Sequence, residues 1–260
     1  MIEDPHRTDP LLAAIKKTVR SGDLVVDVGT GLGLLAIASV QAGAGHVWGI
    51  DYDKEALNYA KKAANRAGVF EKISWIPGLS FEAKLKKRVD LILCETVGSY
   101  AFDENILATL ADAKRRFLKK TGKIIPACLE LWGAPLCRIP RKKSASGIVT
   151  AKKNDLMATP LRLARINFQE NFKTSLRIKE DFVCKKGGIL RAMAVWPKVY
   201  WTKENITEAS PLLPPTHWQQ GILGVEAKKI RPGEKIHFEL IMRPHPDHPR
   251  EKTERLWRAE

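Results

Sequence analysis

The sequence lacks a membrane-spanning apolar run, a secretory signal and paired cysteines, and each absence excludes a class of protein. It has no apolar run near the roughly 18–20 residues that a membrane span needs. Its first ten residues carry Glu3, Asp4 and Asp9, unlike the basic start of a secretory signal. Its four cysteines are widely separated and form no C-x-x-C pair, which argues against a zinc knuckle or a disulfide scaffold, and no metal site is predicted. We therefore expect a soluble, cytoplasmic protein. These cysteines are Cys94, Cys128, Cys137 and Cys184.

Aromatic residues are also few, at 7%, whereas the charge is strongly one-sided, with 44 Lys and Arg against 29 Asp and Glu. Most of the net charge of +15 lies in residues 138–191, which hold 14 basic and 4 acidic residues, or +10. The 19 basic and 16 acidic residues in 1–137 contribute only +3, and the 11 basic and 9 acidic residues in 192–260 contribute only +2. The middle segment could meet nucleic acid or an acidic protein, or could be a solubilising face.

The first half of the chain alternates β-branched runs with helical patterns. Strands separated by helices at this rhythm indicate βαβ units and a mostly parallel sheet with helices on both faces. The predicted strands span 24–28, 47–50, 73–76 and 89–93, and the predicted helices span 34–42, 54–67 and 103–119.

After Pro135 the helical periodicity ends and prolines accumulate. Period-2 patterns over 189–196, 220–226 and 235–242 indicate an antiparallel, barrel-like β domain with long basic loops. The tail from Pro244 is expected to be solvated. We therefore predict an α/β fold in two parts, a parallel-sheet domain over 1–134 and a β-barrel-like substrate domain over 135–260.

A glycine-rich turn closes the first predicted strand and opens a helix. Glycine at 29, 31 and 33 lets the backbone approach a ligand closely. The G-x-G-x-G spacing differs from the G-x-G-x-x-G of dinucleotide sites, which disfavours NAD(P). The alternative without a ligand is a tight strand–helix turn with a capping acid.

Two acids add to the case for a ligand. Asp27 lies within the first strand, where a buried carboxylate needs a cation or several N–H donors. The ammonium of the amino-acid portion of S-adenosylmethionine would supply that cation. Asp51 follows the second strand, where a carboxylate can accept both hydroxyls of a ribose. With the glycine turn, these positions resemble the class I S-adenosylmethionine-dependent methyltransferases.

The segment after the fourth predicted strand indicates which chemical group would accept the methyl. It reads Cys94-Glu95-Thr96-Val97 instead of the Asn/Asp-Pro-Pro-Tyr/Phe of enzymes that methylate adenine or glutamine amides. Glu95 and Glu104 bracket a glycine-containing turn, and Glu104 is expected to open the next helix, whose dipole would favour its ionised form. Two carboxylates can hold the planar fork of a guanidinium. The alternative is an ordinary strand-end acid and helix-start acid.

Two further motifs complete a pattern. Thr216-His217-Trp218 follows two prolines in the β half, and the chain opens with Met1-Ile2-Glu3-Asp4-Pro5-His6-Arg7. Together with the two glutamates, these motifs resemble the protein arginine methyltransferases, over residues 1–134 and again at 216–218. The resemblance implies a Rossmann-like domain that binds S-adenosylmethionine and a β-barrel domain beyond it.

The resemblance also implies contacts for the cofactor. Arg7 would pair with its carboxylate, Asp51 would bind its ribose, and Gly29 and Gly31 would line its methionine portion. The family's adenine-contacting acid falls near Phe81, and Glu82 is assigned to it because the loop is one residue shorter.

For the substrate, the resemblance implies that Glu95 and Glu104 clamp the guanidinium. His217 would sit against Asp4, either as a proton-accepting dyad or as a tie between the N-terminus and the barrel. Both roles are left open.

Three departures from the family pattern are visible. The family's aromatic N-terminal helix has no counterpart before Met1, and its helical dimerisation arm is not evident in 138–186, which leaves the oligomeric state open. The basic middle segment would repel the basic tails that the family methylates. An acidic or RNA-associated substrate would remove that conflict.

We therefore expect a methyltransferase that acts on a protein arginine. A methyltransferase for RNA or for amino groups of a ribosomal protein is the second hypothesis, and a non-catalytic cofactor- or nucleic-acid-binding module is the third.

Overall fold

The parallel half of the chain contains four helices and five strands. The computed structural model describes residues 4–140, 150–248, 250 and 252–260. In the described part of the chain, no helix is long and apolar enough to cross a membrane. The helices are α1 (Pro5–Thr18), α2 (Leu34–Gln41), α3 (Lys54–Arg66) and α4 (Ile106–Phe117). The strands are β1 (Leu24–Val28), β2 (His46–Asp51), β3 (Ile73–Pro77), β4 (Val89–Cys94) and β5 (Leu118–Ile125).

These five strands form one parallel sheet in the order β3-β2-β1-β4-β5. Val25, Val26 and Ile92 are fully buried, as expected for strands that are covered on both faces. The strand order reverses between β1 and β4, so a crevice opens at the carboxyl ends of these strands. The sheet confirms the predicted Rossmann-like α/β fold with helices on both faces.

The second half of the chain is antiparallel, which confirms the predicted barrel-like part of the fold. One sheet has the order β10-β9-β6-β7, with β11 also paired to β9, and another has the order β13-β12-β8. The strands are β6 (Cys128–Leu136), β7 (Leu161–Asn167), β8 (Leu176–Val183), β9 (Gly188–Tyr200), β10 (Ile206–Glu208), β11 (Gly221–Ile230), β12 (Lys235–Pro244) and β13 (Thr253–Ala259).

The structure corrects several boundaries. The helix predicted to reach residue 119 ends at Phe117, and β5 begins at once, with its first residue Leu118 buried. The tail after Pro244 has solvent-exposed side chains, as predicted, but it also forms a strand, since β13 pairs along β12 and places Trp257 opposite Leu240. The proposed domain boundary at 134/135 falls inside β6.

The basic middle segment contains more structure than the predicted loops. Strands β7 and β8 both lie within it, and no α-helix occurs in its described residues. Residues 141–149 of this segment, and residues 1–3 of the opening motif, lie outside the described residues.

Helix α1 packs between the two halves and carries the first site residue. Leu11, Ala14 and Ile15 on one side of it are buried. At its start, Thr207 of β10 donates its hydroxyl to the His6 carbonyl over 3.3 Å. This anchoring fixes the position of Arg7, which is 3% exposed.

Candidate active site

A cavity of about 430 Å³ opens at the carboxyl ends of β1 to β4. Its wall comes from the four strand ends, from the loop before α4 and from the chain just before β13. The lining residues are Val28, Gly29, Ile50, Asp51, Tyr52, Gly78, Leu79, Ser80, Phe81, Thr96, Glu104, Asn105, Thr109, Arg250 and Lys252.

The glycine turn forms one wall of this cavity. Gly29, Gly31 and Gly33 all have positive φ, between 51° and 80°, a region that other L-residues rarely adopt. The turn is held by Asp51, whose Oδ2 accepts the Gly31 N–H at 2.7 Å. Asp51 therefore positions the turn and also faces the cavity, where its predicted contact with a ribose stays a prediction.

Asp27 lies beneath the turn and is fully buried. Its Oδ2 accepts the Thr30 hydroxyl at 2.6 Å, but its Oδ1 has no hydrogen-bond partner among the described residues. Burial raises the pKa of Asp27 to about 7, against the opposing effect of the Thr30 hydrogen bond. A buried carboxylate oxygen without a donor is a fitting partner for an ammonium group, so these residues fit the amino-acid portion of S-adenosylmethionine.

Glu95 follows β4 and points toward α1. Its Oε1 accepts from Nη1 of Arg7 at 2.8 Å, and the two side chains are only 13% and 4% exposed. Burial raises the pKa of Glu95 to about 7, and the nearby carboxylate of Glu104 adds to this rise while Arg7 opposes it. The charge of Glu104 acts on Glu95, so the two carboxylates lie within electrostatic reach of each other. Their clamp on a guanidinium stays a prediction.

Glu104 differs from expectation in one respect. It does not open α4, because the helix begins at Ile106 with Asn105 as its N-cap. Instead of the helix dipole favouring its ionised form, partial burial raises the pKa of Glu104, and the adjacent Asp103 carboxylate adds to the rise. Glu104 lines the cavity and makes no hydrogen bond or ion pair within the described part of the chain. Its carboxylate is thus available to a cationic ligand.

The loop between the two glutamates is held by the barrel. Ser99 donates its hydroxyl to the Trp218 carbonyl at 2.5 Å and accepts the Gly221 N–H at 3.3 Å. Thr253 at the start of β13 donates to the Phe102 carbonyl at 3.0 Å. The Thr-His-Trp segment, β11 and β13 therefore all position the loop that carries the glutamates.

His217 and Asp4 are in contact, but not through the imidazole. The contact runs from the His217 backbone N–H to Oδ2 of Asp4, at 2.6 Å. Partial burial lowers the pKa of His217, and the positive charge of Arg7 lowers it further against the opposing Asp4 carboxylate. With this geometry, the hydrogen bond ties the N-terminal segment to the barrel. The proton-accepting role stays a prediction.

Two cavity residues, Arg250 and Lys252, were not predicted from the sequence, and the predicted Glu82 lies outside the cavity lining. The exposed Glu82 does not line the cavity, although its neighbour Phe81 does, so its adenine contact stays a prediction. Arg250 lies over the Phe81 ring, with its guanidinium carbon 5.9 Å from the ring centre. Arg250 and Lys252 carry no local signal for this place, because only the pairing of β12 with β13 brings them there.

Comparison with known proteins supports this architecture. Residues 5–129 match the model of the ribosomal protein L11 methyltransferase (PrmA) family. The chain is 26% identical over 290 residues to protein arginine N-methyltransferase 6 of Xenopus tropicalis. It superposes with a TM-score of 0.83, at 20% identity, on a Trypanosoma brucei PRMT1 enzyme–prozyme heterotetrameric complex with AdoHcy. The fold and these similarities support an S-adenosylmethionine-dependent methyltransferase.

In sequence, the chain is similar to protein arginine methyltransferases, the family that its motifs resemble. The likeness to the frog protein covers 96% of this chain and 84% of that protein. The superposition on the trypanosome structure covers 100% of this chain and 96% of that one. A probable protein arginine N-methyltransferase 6 of Arabidopsis thaliana is 33% identical, but over 52% of this chain and 32% of its own length.

Proposed function

We propose that this chain methylates a guanidino nitrogen of arginine in a protein substrate, with S-adenosylmethionine as the methyl donor. The observation that carries the proposal is the Glu104 carboxylate, which lines the cavity near Glu95 and makes no ion pair within the described part of the chain. Two neighbouring carboxylates are costly to keep ionised unless a cation joins them. The names of the relatives, which are protein arginine methyltransferases, support the same acceptor.

The cofactor would be held by residues that line or underlie the cavity. Asp27 offers an unpartnered oxygen to the ammonium, Asp51 lies at the end of β2 for the ribose, and the glycine turn brings backbone close to the methionine portion. Arg7, which holds Glu95, would pair with the cofactor's carboxylate, as the family resemblance implies. When bound, the cofactor supplies an electrophilic methyl group on a sulfonium.

The protein's own residues would then orient the acceptor. A guanidinium is planar and stays protonated near neutral pH, so its nitrogens are poor nucleophiles. Glu104 and the free oxygen of Glu95 would hold two of its N–H groups and draw positive charge toward them. The remaining nitrogen would face the cavity in a geometry suited to in-line displacement.

A proton must leave the arginine after transfer. Burial raises the pKa values of Glu95 and Glu104, and these carboxylates would hold the guanidinium directly, whereas His217 bonds to Asp4 through its backbone N–H. We therefore assign proton acceptance first to the glutamates. His217 and Asp4 join α1 to the barrel.

The test is methyl transfer from radiolabelled S-adenosylmethionine to matched acceptors. One peptide carries a single arginine, a second carries lysine at that position, and a third acceptor is RNA. We expect label on the arginine peptide and mass-spectrometric addition of methyl to the guanidino group. Label on lysine or RNA alone would overturn the proposal.

A second candidate is favoured by one observation. Residues 5–129 match the L11 methyltransferase family, which agrees with the hypothesis of a ribosomal-protein amino group as acceptor. That match covers the parallel-sheet part of the chain and not the barrel. A neutral amine would also leave the charge of Glu104 without a partner. Ribosomal protein L11 as a fourth acceptor in the same assay separates the two. Binding of labelled cofactor without any transfer would point to the non-catalytic hypothesis.

We further propose the partner and the location that the sequence favours. The substrate is a protein with an exposed arginine, and the free thiols of Cys94, Cys128, Cys137 and Cys184 agree with a reducing cytoplasm. A nucleic-acid partner for the basic segment stays an alternative.

The division into domains over 1–134 and 135–260 is tested by expressing the first part alone and measuring its cofactor binding.

A further inference from the structure

One end of the barrel carries a cluster of cations that no part of the proposed mechanism uses. Six exposed basic residues lie on four adjoining pieces of chain, and we call them the distal basic patch. It consists of Lys152, Lys153, Lys185, Arg191, Lys228 and Lys229. None of them forms an ion pair within the described part of the chain.

Backbone pairing holds these pieces together. The Lys185 N–H donates to the Met157 carbonyl at 2.8 Å, next to the turn that carries Lys152 and Lys153. On the neighbouring strands, Lys229 of β11 lies directly opposite Ile189 of β9, two residues before Arg191. These contacts bring the four pieces onto neighbouring strands, where Lys229 and Arg191 share one face and Lys228 points to the other side of β11.

The acids in this region do not neutralise it. Asp155 is buried and already paired with Arg138 at 2.8 Å. Glu226 and Glu234 are two exposed carboxylates against six cations. Glu234 lies beside Lys185, since its carbonyl accepts the Cys184 N–H at 2.9 Å. By contrast, the cations on the sheet formed by β8, β12 and β13 are matched, as Glu239 alone contacts Arg177 and Arg258. An excess of unpaired like charge costs stability through repulsion and attracts a polyanion.

The patch lies at a defined distance from the proposed clamp. Strand β11 begins at Gly221, which bonds to Ser99 of the glutamate loop, and reaches Lys229 eight residues later. A β-bulge takes up two of these residues, because the paired stretch of β9 from Val195 to Ile189 spans only six steps. At about 3.3 Å per step, Lys229 therefore lies roughly 20 Å from the clamp loop. Lys152 lies nearer, because the N–H of its neighbour Ala151 donates to the Gln220 side chain at 2.9 Å. An extended peptide of about ten residues can span this distance.

We propose that the distal basic patch docks an acidic stretch of the protein substrate, about ten residues from the target arginine. This proposal rests on the proposed function, since it presumes a protein acceptor. Lysine ammonium groups suit carboxylates as point charges. The six patch residues include no aromatic ring, whereas single-stranded RNA sites use stacking on such rings. The patch would raise substrate affinity and leave the chemical step unchanged.

The experiment compares two peptides that share one arginine and a ten-residue Gly/Ser spacer. One ends in six glutamates and the other in six serines. At 20 mM salt we expect the glutamate tail to lower KM about tenfold with kcat unchanged, and 300 mM salt to remove most of this effect. The variant K228E/K229E should abolish the advantage, whereas the control K86E/K87E, two exposed lysines before β4, should retain it.

A direct binding measurement keeps this result separate from turnover. Fluorescence anisotropy of a labelled hexaglutamate peptide needs no methyl transfer, so failure of arginine methylation leaves the docking test intact. Equal binding by K228E/K229E and wild type, at matched melting temperatures, would overturn the proposal. So would a single-stranded RNA that binds the patch while the glutamate tail changes neither KM nor anisotropy.

Discussion

Arg7 in the first helix donates to Glu95, 88 residues away, over 2.8 Å and almost out of contact with solvent. This pair joins α1 to the end of β4, where the cavity begins. Because Arg7 contacts one oxygen of Glu95 and Glu104 makes no ion pair within the described residues, the site keeps a surplus of negative charge, which the charge of Arg7 offsets in part. That surplus determines both the ligand it accepts and its response to pH.

The first prediction concerns pH. The clamp binds a cation only when its carboxylates are ionised, and Glu95 has a pKa raised to about 7 in the free protein. Below pH 7 the fraction of ionised clamp falls up to tenfold per pH unit, so kcat/KM for an arginine peptide should rise with pH and level off above about 7. A profile measured from pH 5.5 to 8.5 checks this, and a flat one contradicts it.

The second prediction separates stability from cofactor binding at Asp27. The pKa of Asp27 lies near 7 in the folded protein against an ordinary value of 3.8. Ionisation of Asp27 therefore destabilises the fold progressively as pH rises from about 4 to 7. The penalty above pH 7 is on the order of 4 kcal/mol for about three pKa units. Asp27→Asn should therefore melt several degrees higher at pH 8, with little difference at pH 4.

The same Asp27→Asn variant should bind S-adenosylmethionine ten- to a hundredfold more weakly, because it loses a charge-assisted hydrogen bond. Calorimetry at pH 8 measures this. Unchanged affinity would show that the unpartnered oxygen of Asp27 does not meet the ammonium.

The third prediction concerns the loop between the glutamates. A Cβ on Gly98 would overlap the carboxylate of Asp103, which accepts the Tyr100 N–H at 3.1 Å. Gly98→Ala should displace this loop, lower kcat/KM at least tenfold and reduce the melting temperature by a few degrees. Gly224→Ala is the matched control, since nothing lies within 4 Å of its Cβ position. Equal effects of both substitutions would refute the assignment.

The fourth prediction distinguishes the two roles of His217. Its backbone, not its ring, contacts Asp4. His217→Ala keeps that bond and should hold kcat within about threefold, with the pH profile unchanged, whereas Asp4→Ala breaks it and should lower kcat about tenfold. A large loss in His217→Ala, with a shifted pH profile, would instead support the proton-accepting dyad.

The parallel half could be predicted closely because its signals are local. The run around Val25 and Val26 is apolar enough to be a buried strand, and the glycine turn follows it directly. Glu95 and Glu104 could be placed near the carboxyl end of the sheet for the same reason, from their position after the fourth strand, while their role stays a prediction.

The barrel half could be predicted only in part. Strand β8 has exposed charged residues such as Arg177 and Lys179 between its buried positions, so it resembles a basic loop. Strand β13 has no fully buried residue, and its pairing with β12 is a long-range event. The places of Arg250 and Lys252 follow from that pairing, and so could not be read from the sequence.

The most direct test of the account is the turnover of Glu104→Gln and Glu95→Gln on an arginine peptide. Each variant removes one charge from the clamp, so kcat should fall about a hundredfold while cofactor affinity changes less than threefold. Glu71→Gln, an exposed glutamate before β3, should behave as wild type. Wild-type-like arginine methylation by both clamp variants would contradict the claim that these two carboxylates hold the substrate guanidinium.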